Sequence, residues 1–104
     1  MKLLVDSGST KADWIAIDEN GKVLFTTQTL GLNPEVLDKE EIINRLDDKF
    51  DISHNKDKAT HLFFYGAGCG TERMKDFLTL VFQEYFKNAV VVVHEDTYAA
   101  VYAT

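Results

Sequence analysis

The pattern of hydrophobic and polar positions divides the first thirty residues into three short strands. Residues 2–6 form an apolar run that predicts a buried strand. Residues 12–18 alternate, with Ala12, Trp14 and Ala16 on one face, which is the period of a strand. Asn20 and Gly21 predict a type I′ hairpin turn because both tolerate positive φ, and residues 23–29 form the returning strand. The chain therefore opens with an antiparallel meander.

After residue 30 the pattern changes to helices that alternate with strands. Pro34 can occupy the first turn of a helix, and the spacing predicts a helix over residues 35–50. Its apolar stripe consists of Val36, Ile42, Ile43, Leu46 and Phe50. A polar loop over residues 51–57 and a fourth strand over residues 60–65 follow.

The last third of the chain contains the most regular helical pattern, over residues 71–86. Its apolar positions are Met74, Phe77, Leu78, Val81, Phe82 and Tyr85. The valine run of residues 90–93 predicts a buried fifth strand, and a third helix starts at Thr97.

The predicted order is therefore β-β-β-α-β-α-β-α, an α/β fold with a mixed five-stranded sheet. A meander followed by two crossover units is the ribonuclease H-like arrangement. We expect residues 1–104 to form one domain. Because the predicted third helix has no capping signal before Thr104, we expect a longer natural protein to continue past this residue.

Composition limits the classes of function. Hydrophobic residues make up 45% of the chain, which favours a packed core over disorder. The net charge of -6 argues against a nucleic-acid or anionic-membrane partner, and no apolar stretch approaches the length of a membrane span. The single cysteine, Cys69, excludes an internal disulfide and fits a reducing compartment. We therefore expect a cytoplasmic protein.

The first candidate for chemistry is the turn from Asp6 to Lys11. Gly8 lets the backbone approach an anion closely, and successive N–H groups in such a turn can form a concave anion site. The hydroxyls of Ser7, Ser9 and Thr10 and the charge of Lys11 would add donors for the phosphates of a nucleotide. Asp6, at the end of a buried strand, could hold Mg²⁺ through water. The alternative is an ordinary hairpin turn.

The second candidate is Asp96, which follows the fifth strand and opens the third predicted helix. A carboxylate at the carboxyl end of a strand can accept the proton of a substrate hydroxyl that attacks the γ-phosphate of ATP. The alternative is a helix N-cap, a position where Asp is common. Glu95 and His94 are the rival carboxylate and the rival base.

The third candidate is the glycine loop that follows the fourth strand. Gly66 and Gly68 imitate a dinucleotide fingerprint, but Thr71 stands where the third glycine should be. We interpret these glycines as a close-packed loop that lines a substrate site. Cys69 has no histidine placed to pair with it, so it is not a predicted nucleophile.

The fourth candidate is Asn33, in the loop before the first helix. Its amide offers two donors and one acceptor, which suits a sugar hydroxyl or amide. The alternative is a residue that forms a turn and starts a helix.

Taken together, these motifs resemble a known group. Residues 5–14 are similar to the first phosphate-binding motif of the superfamily of actin, sugar kinases and heat-shock chaperones. Residues 31–34, 66–68 and 93–104 narrow the resemblance to the BadF/BadG/BcrA/BcrD ATPase family and its N-acetylglucosamine kinase-like branch. The resemblance covers essentially the whole chain and implies the first lobe of an actin-like ATPase, with the second lobe missing.

The resemblance implies a role for each motif. The turn at Gly8, Ser9, Thr10 and Lys11 would wrap the β- and γ-phosphates of ATP, and Asp6 would help to place Mg²⁺. Asn33 would contact the sugar, and Asp96 would be the catalytic base.

The resemblance also leaves alternatives to a sugar kinase. Some relatives are iron–sulfur activators that use ATP hydrolysis to drive electron transfer to a dehydratase or reductase. An iron–sulfur cluster requires several ligand cysteines. This chain contains only Cys69, and the missing lobe could hold others. A sugar- or nucleotide-sensing module without turnover is a further alternative. A homodimer through the missing lobe is one expected assembly, and we expect the 104-residue piece alone to bind ATP weakly and to turn over nothing.

Overall fold

The computed structural model of the chain describes residues 1–8, 10–66 and 70–94. Five strands and three helices lie within these ranges. The strands are β1 (Lys2–Ser7), β2 (Lys11–Ile17), β3 (Val23–Leu30), β4 (His61–Gly66) and β5 (Val90–His94). The helices are α1 (Lys39–Asp47), α2 (Phe50–Asn55) and α3 (Glu72–Tyr85). The helix predicted from Thr97 falls outside the described residues.

The strands form one mixed sheet in the order β3-β2-β1-β4-β5. Strand β1 pairs antiparallel with β2 and parallel with β4, and β5 continues the sheet parallel to β4. All five predicted strands are confirmed, with ends that shift by about one residue. The predicted α/β class and the mixed five-stranded sheet are therefore confirmed.

The first hairpin is confirmed, but its predicted type I′ turn is wrong. Gly21 has φ +81°, and no other residue in the described ranges has positive φ, so Asn20 does not adopt the conformation that type I′ requires. The loop is one residue longer, closed by the amide of Asp18 on the carbonyl of Lys22 at 2.9 Å. The Asp18 carboxylate accepts the amides of Asn20 and Lys22 at 2.8 and 2.9 Å, which satisfies two donors of the wider loop.

The helix predicted over residues 35–50 is also wrong in its boundaries. Residues 34–36 form a separate turn, and α1 begins only at Lys39, where the Asp38 side chain accepts the amide of Glu41 at 2.9 Å. Helix α1 ends at Asp47, and α2 occupies most of the predicted polar loop because Ile52 is buried on its inner side. Val36 and Phe50 are 76% and 73% exposed, so neither belongs to the apolar stripe.

The core lies between one face of the sheet and the three helices. Strand β1 contributes Leu3 and Val5 to this face, and β2 contributes Trp14, which is fully buried and whose Nε1 donates to Thr29 Oγ1 at 3.2 Å. The predicted stripe of α3 is confirmed, since Leu78 and Phe82 are fully buried against the same face. No helix in the described ranges is long and apolar enough to span a membrane.

Helices α1 and α3 are joined at their carboxyl ends. The Tyr85 hydroxyl donates to Asp47 Oδ1 at 2.7 Å, and Lys56 Nζ lies 5.1 Å from the centre of the Tyr85 ring. Burial, and then the hydrogen bond and negative charge of Asp47, raise the pKa of Tyr85 above its ordinary value of 10.0. The native state therefore retains the Tyr85 proton at a pH at which the unfolded chain has released it.

Strand β4 ends in a glycine that has no room for a side chain. A Cβ on Gly66 would lie 2.7 Å from Cε1 of the Phe64 ring and 3.2 Å from Cβ of Ser7, its partner on β1. Among the described residues, a Cβ on Gly8 would meet only the Lys11 carbonyl, at 3.6 Å. The two glycines therefore differ sharply in the space around them.

We predict that Tyr85→Phe lowers the free energy of unfolding by about 1 kcal/mol at neutral pH, because a partly buried hydrogen bond is lost. Above pH 10.0, the ordinary pKa of tyrosine, the wild-type stability should fall as pH rises, because only the unfolded state then releases this proton. The variant lacks this contribution, so the two stability curves should converge in urea titrations from pH 8 to about 11. Parallel curves would contradict the raised pKa.

We predict that Gly66→Ala lowers the free energy of unfolding by about 1–3 kcal/mol, because the added methyl group overpacks the space under the Phe64 ring. Gly8→Ala is the matched control, and its stability in urea titrations should equal or slightly exceed that of the wild type. Equal stabilities of the two variants would show that the ring of Phe64 moves aside at little cost.

Candidate functional site

Three strand ends and two loops meet at one edge of the sheet. The parallel strands β1, β4 and β5 end there at Ser7, Gly66 and His94. The hairpin turn between β1 and β2 and the loop that follows β3 flank the same edge. Ligands of open α/β sheets bind outside the carboxyl ends of the strands, so this edge is the candidate site.

The hairpin turn presents most of its predicted phosphate-binding groups to solvent. Gly8 donates its amide to the Lys11 carbonyl at 2.9 Å, and Gly8, Thr10 and Lys11 are exposed. Lys11 makes no ion pair with any residue that the structure describes. Its ammonium group is therefore available to an anionic ligand. Ser9 lies outside the described residues.

Ser7 differs from the other residues of the turn because its hydroxyl is already used within the protein. The residue is 1% exposed, its Oγ accepts the amide of Leu32 at 2.9 Å, and it donates to the Gly8 carbonyl at 3.3 Å. This arrangement favours a role in positioning over the predicted direct contact with phosphate.

The loop that carries Asn33 is held by three separate elements. Gly31 donates its amide to the Thr10 carbonyl of the hairpin turn at 2.9 Å. Leu32 donates to Ser7 at the end of β1, and Arg45 Nη1 of α1 donates to the Gly31 carbonyl. The predicted sugar-binding loop and the predicted phosphate-binding turn are therefore joined directly by hydrogen bonds.

Asn33 itself forms the local turn that the sequence allowed. Its Oδ1 accepts the amide of Glu35 at 2.9 Å, and its backbone carbonyl accepts the amides of Val36 and Leu37. The turn is confirmed, but Asn33 does not start a helix, because α1 begins only at Lys39. The side-chain nitrogen has no hydrogen-bond partner among the described residues, so it can still donate to a ligand. Its contact with a sugar stays a prediction.

A polar row crosses the face of the sheet opposite the helices. Pairing places Asp6 beside Tyr65, and Tyr65 beside His94, one residue from each parallel strand. The rings of Tyr65 and His94 stack with centres 5.1 Å apart, and Tyr65 is 5% exposed. On the other side Asp13 lies opposite Asp6 and accepts the side-chain amide of Gln28 at 2.6 Å. Sequence patterns alone did not identify Tyr65, because its position beside Asp6 depends on the register of the β1–β4 pair.

The environment of Asp6 fits a role in placing Mg²⁺. Its carboxylate is half-buried at the carboxyl end of β1 and makes no ion pair or side-chain hydrogen bond with the described residues. The described part of the chain contains no cluster of three or more side chains that could hold a metal ion by themselves. Magnesium commonly keeps several waters and binds through one or two carboxylates and substrate phosphates, so a lone Asp6 suits this pattern.

Three predicted site residues, Ser9, Gly68 and Asp96, lie outside the described residues and stay predictions. Gly66 is buried and packed against Ser7 and Phe64, which confirms that the glycine loop begins in a close-packed position. His94, the rival base, is exposed and stacked on Tyr65, so its ring lies on the face that carries Asp6.

Comparison with known proteins adds one informative similarity. The chain is similar to the crystal structure of a candidate N-acetylglucosamine kinase from Porphyromonas gingivalis, with 33% sequence identity and a TM-score of 0.75. The similarity covers 89% of this chain and 34% of that one, so the chain spans about a third of the length of that structure. No protein-family model matches the chain, and no curated protein matches it. The mixed sheet with its helices is thus shared with part of a sugar-kinase-like protein.

Proposed function

We propose that this chain is a ribonuclease H-like lobe of an ATP-dependent phosphotransferase that acts on an amino-sugar hydroxyl. The family that we propose is BadF/BadG/BcrA/BcrD, in its N-acetylglucosamine kinase-like branch. The main support is the direct hydrogen bonding between the hairpin turn and the Asn33 loop, through Gly31 to Thr10 and Leu32 to Ser7. Phosphoryl transfer requires the phosphate donor and the acceptor hydroxyl to be held side by side, and this connection supports such an arrangement.

In the proposed reaction the hairpin turn binds the phosphates of ATP through its backbone amides and the charge of Lys11. The amide nitrogen of Asn33 donates to the acceptor sugar. When bound, Mg²⁺ would neutralise negative charge on the phosphates, and Asp6 would orient it through water. The sugar oxygen bonds to the γ-phosphorus as the bond to the bridging oxygen of ADP breaks.

Asp96 is the proposed acceptor of the hydroxyl proton in this step. It follows His94, the last residue of β5, by two positions, and β5 ends at the same edge as β1 and β4. A base that follows β5 would therefore approach the site from the β5 side of the sheet, which is the side away from β2 and β3. Closure by a second lobe would complete the nucleotide site and exclude water.

The full-length protein should transfer phosphate from ATP to N-acetylglucosamine or a related amino sugar in a coupled assay for ADP. We predict that Asp96→Asn lowers kcat by about 10²–10⁴-fold, because the hydroxyl proton then has no acceptor. Binding of ATP, measured by calorimetry, should change little in the same variant.

Glu95→Gln is the matched control, since it neutralises the adjacent carboxylate and should retain activity. Full activity of the Asp96 variant with an active sugar, or a loss confined to the Glu95 variant, would overturn the assignment of the base. A cluster absorbance in anaerobic spectra of the full-length protein would instead favour an iron–sulfur activator.

A further inference from the structure

The hydroxyl of Ser7 lies between the two segments that the proposed reaction needs. Ser7 ends β1, immediately before the turn at Gly8, and its Oγ accepts the amide of Leu32 at 2.9 Å. The hydroxyl donates its one hydrogen bond to the Gly8 carbonyl oxygen, which lies 3.3 Å from Oγ. A single buried oxygen thus contacts the phosphate turn through Gly8 and the acceptor loop through Leu32.

The amide of Leu32 depends on this oxygen. Leu32 is fully buried, and Ser7 Oγ is the acceptor that the described residues provide for its N–H. A buried donor that loses its partner carries the full cost of its desolvation, so the loop would shift to reach water or another acceptor. Asn33 is the next residue, and a shift of Leu32 would therefore move the group proposed to contact the sugar.

The surroundings of Ser7 leave little freedom for the hydroxyl. Its Cβ faces Gly66 on β4, where a methyl group would lie only 3.2 Å away. The Leu32 amide occupies one side of the oxygen, and the residue is 1% exposed. Ser7 could donate to a ligand only by giving up its bond to the Gly8 carbonyl, and its burial leaves little room for a ligand to reach the hydroxyl.

From this geometry we infer that Ser7 is a positioning residue that sets the acceptor loop against the phosphate turn. It touches neither substrate and acts through the backbone of Leu32. The inference rests on the proposed function, because it assigns the two segments to nucleotide and acceptor.

The test uses the full-length protein with ATP, Mg²⁺ and its best amino-sugar substrate. Ser7→Ala removes the acceptor and should raise KM for the sugar about tenfold, while KM for ATP changes by less than about twofold. Ser7→Cys keeps the side-chain shape and a weak sulfur acceptor. Its KM for the sugar should therefore lie between the values of the wild type and of Ser7→Ala.

Tyr85→Phe is the control for a purely structural effect. It also removes a hydroxyl from a hydrogen bond, at Asp47, but it lies at the ends of α1 and α3 and not in the site. Both KM values should stay at the wild-type level in this variant. A rise in KM for ATP alone in Ser7→Ala would make Ser7 a direct ligand of the nucleotide, and unchanged kinetics would also overturn the inference.

Amide hydrogen exchange separates this inference from the proposed function. In the wild type the Leu32 amide should be protected, and Ser7→Ala or Ser7→Cys should speed exchange at Leu32 and Asn33 more than at Val5 in the centre of β1. This pattern would support the coupling of the two segments even if no sugar accepted phosphate, in which case only the proposed reaction would fail. Unchanged exchange at Leu32 would overturn the inference.

Discussion

The two different pairings of strand β1 are the constraint on which the rest of the structure depends. On one side β1 pairs antiparallel with β2, so a tight turn follows Ser7 directly. On the other side it pairs parallel with β4, so the carboxyl ends of both strands lie at one edge. A parallel pair needs a crossover connection, and α1 and α2 belong to it. The turn, the Asn33 loop and Gly66 at the end of β4 consequently lie around the end of a single strand.

Side chains of β1 point alternately to the two faces of the sheet, and the two faces have different roles. Leu3 and Val5 point into the helix-covered core, and Ser7 continues that buried face to the end of the strand. Asp6 points to the opposite face, where it stands in a row with Tyr65 and His94. Because side chains alternate with a period of two, the same strand can support the loops from inside and present a carboxylate outside.

The elements that could be predicted from sequence were those with strong local patterns. The strands and α3 could be predicted from periodicity. Leu78 and Phe82 lie on the apolar side of α3, so they had to be buried whichever element the helix packed against. The boundaries of α1 and α2 could not be predicted in this way, because the turn at Asn33 and the N-cap at Asp38 competed with a continuous helix. The turn type was missed because the Asp18 side chain satisfies the amides of a longer loop.

The sequence predicts candidate site residues but not the contacts that connect them. The sequence identified Asp6, Gly8, Lys11 and Asn33 as residue types suited to phosphate, metal and sugar. It could not show that Ser7 is buried or that Leu32 donates to it, because that contact joins residues 25 positions apart and depends on how β3 turns into the loop. The neighbourhood of Tyr65 and Asp6 likewise required the register of the β1–β4 pair.

At this edge, the side chains that hold the loops differ in their contacts from the side chains proposed to bind a ligand. The described residues leave no buried side-chain nitrogen or oxygen without a partner, so the supporting bonds of Ser7 and Thr29 are complete. At the same edge, the exposed Lys11 and the half-buried Asp6 carboxylate make no ion pair with the described residues. A site arranged in this way is preorganised, because a ligand meets charged groups that need not first break contacts within the protein. The buried bonds that hold the loops therefore determine how well the exposed groups can act together.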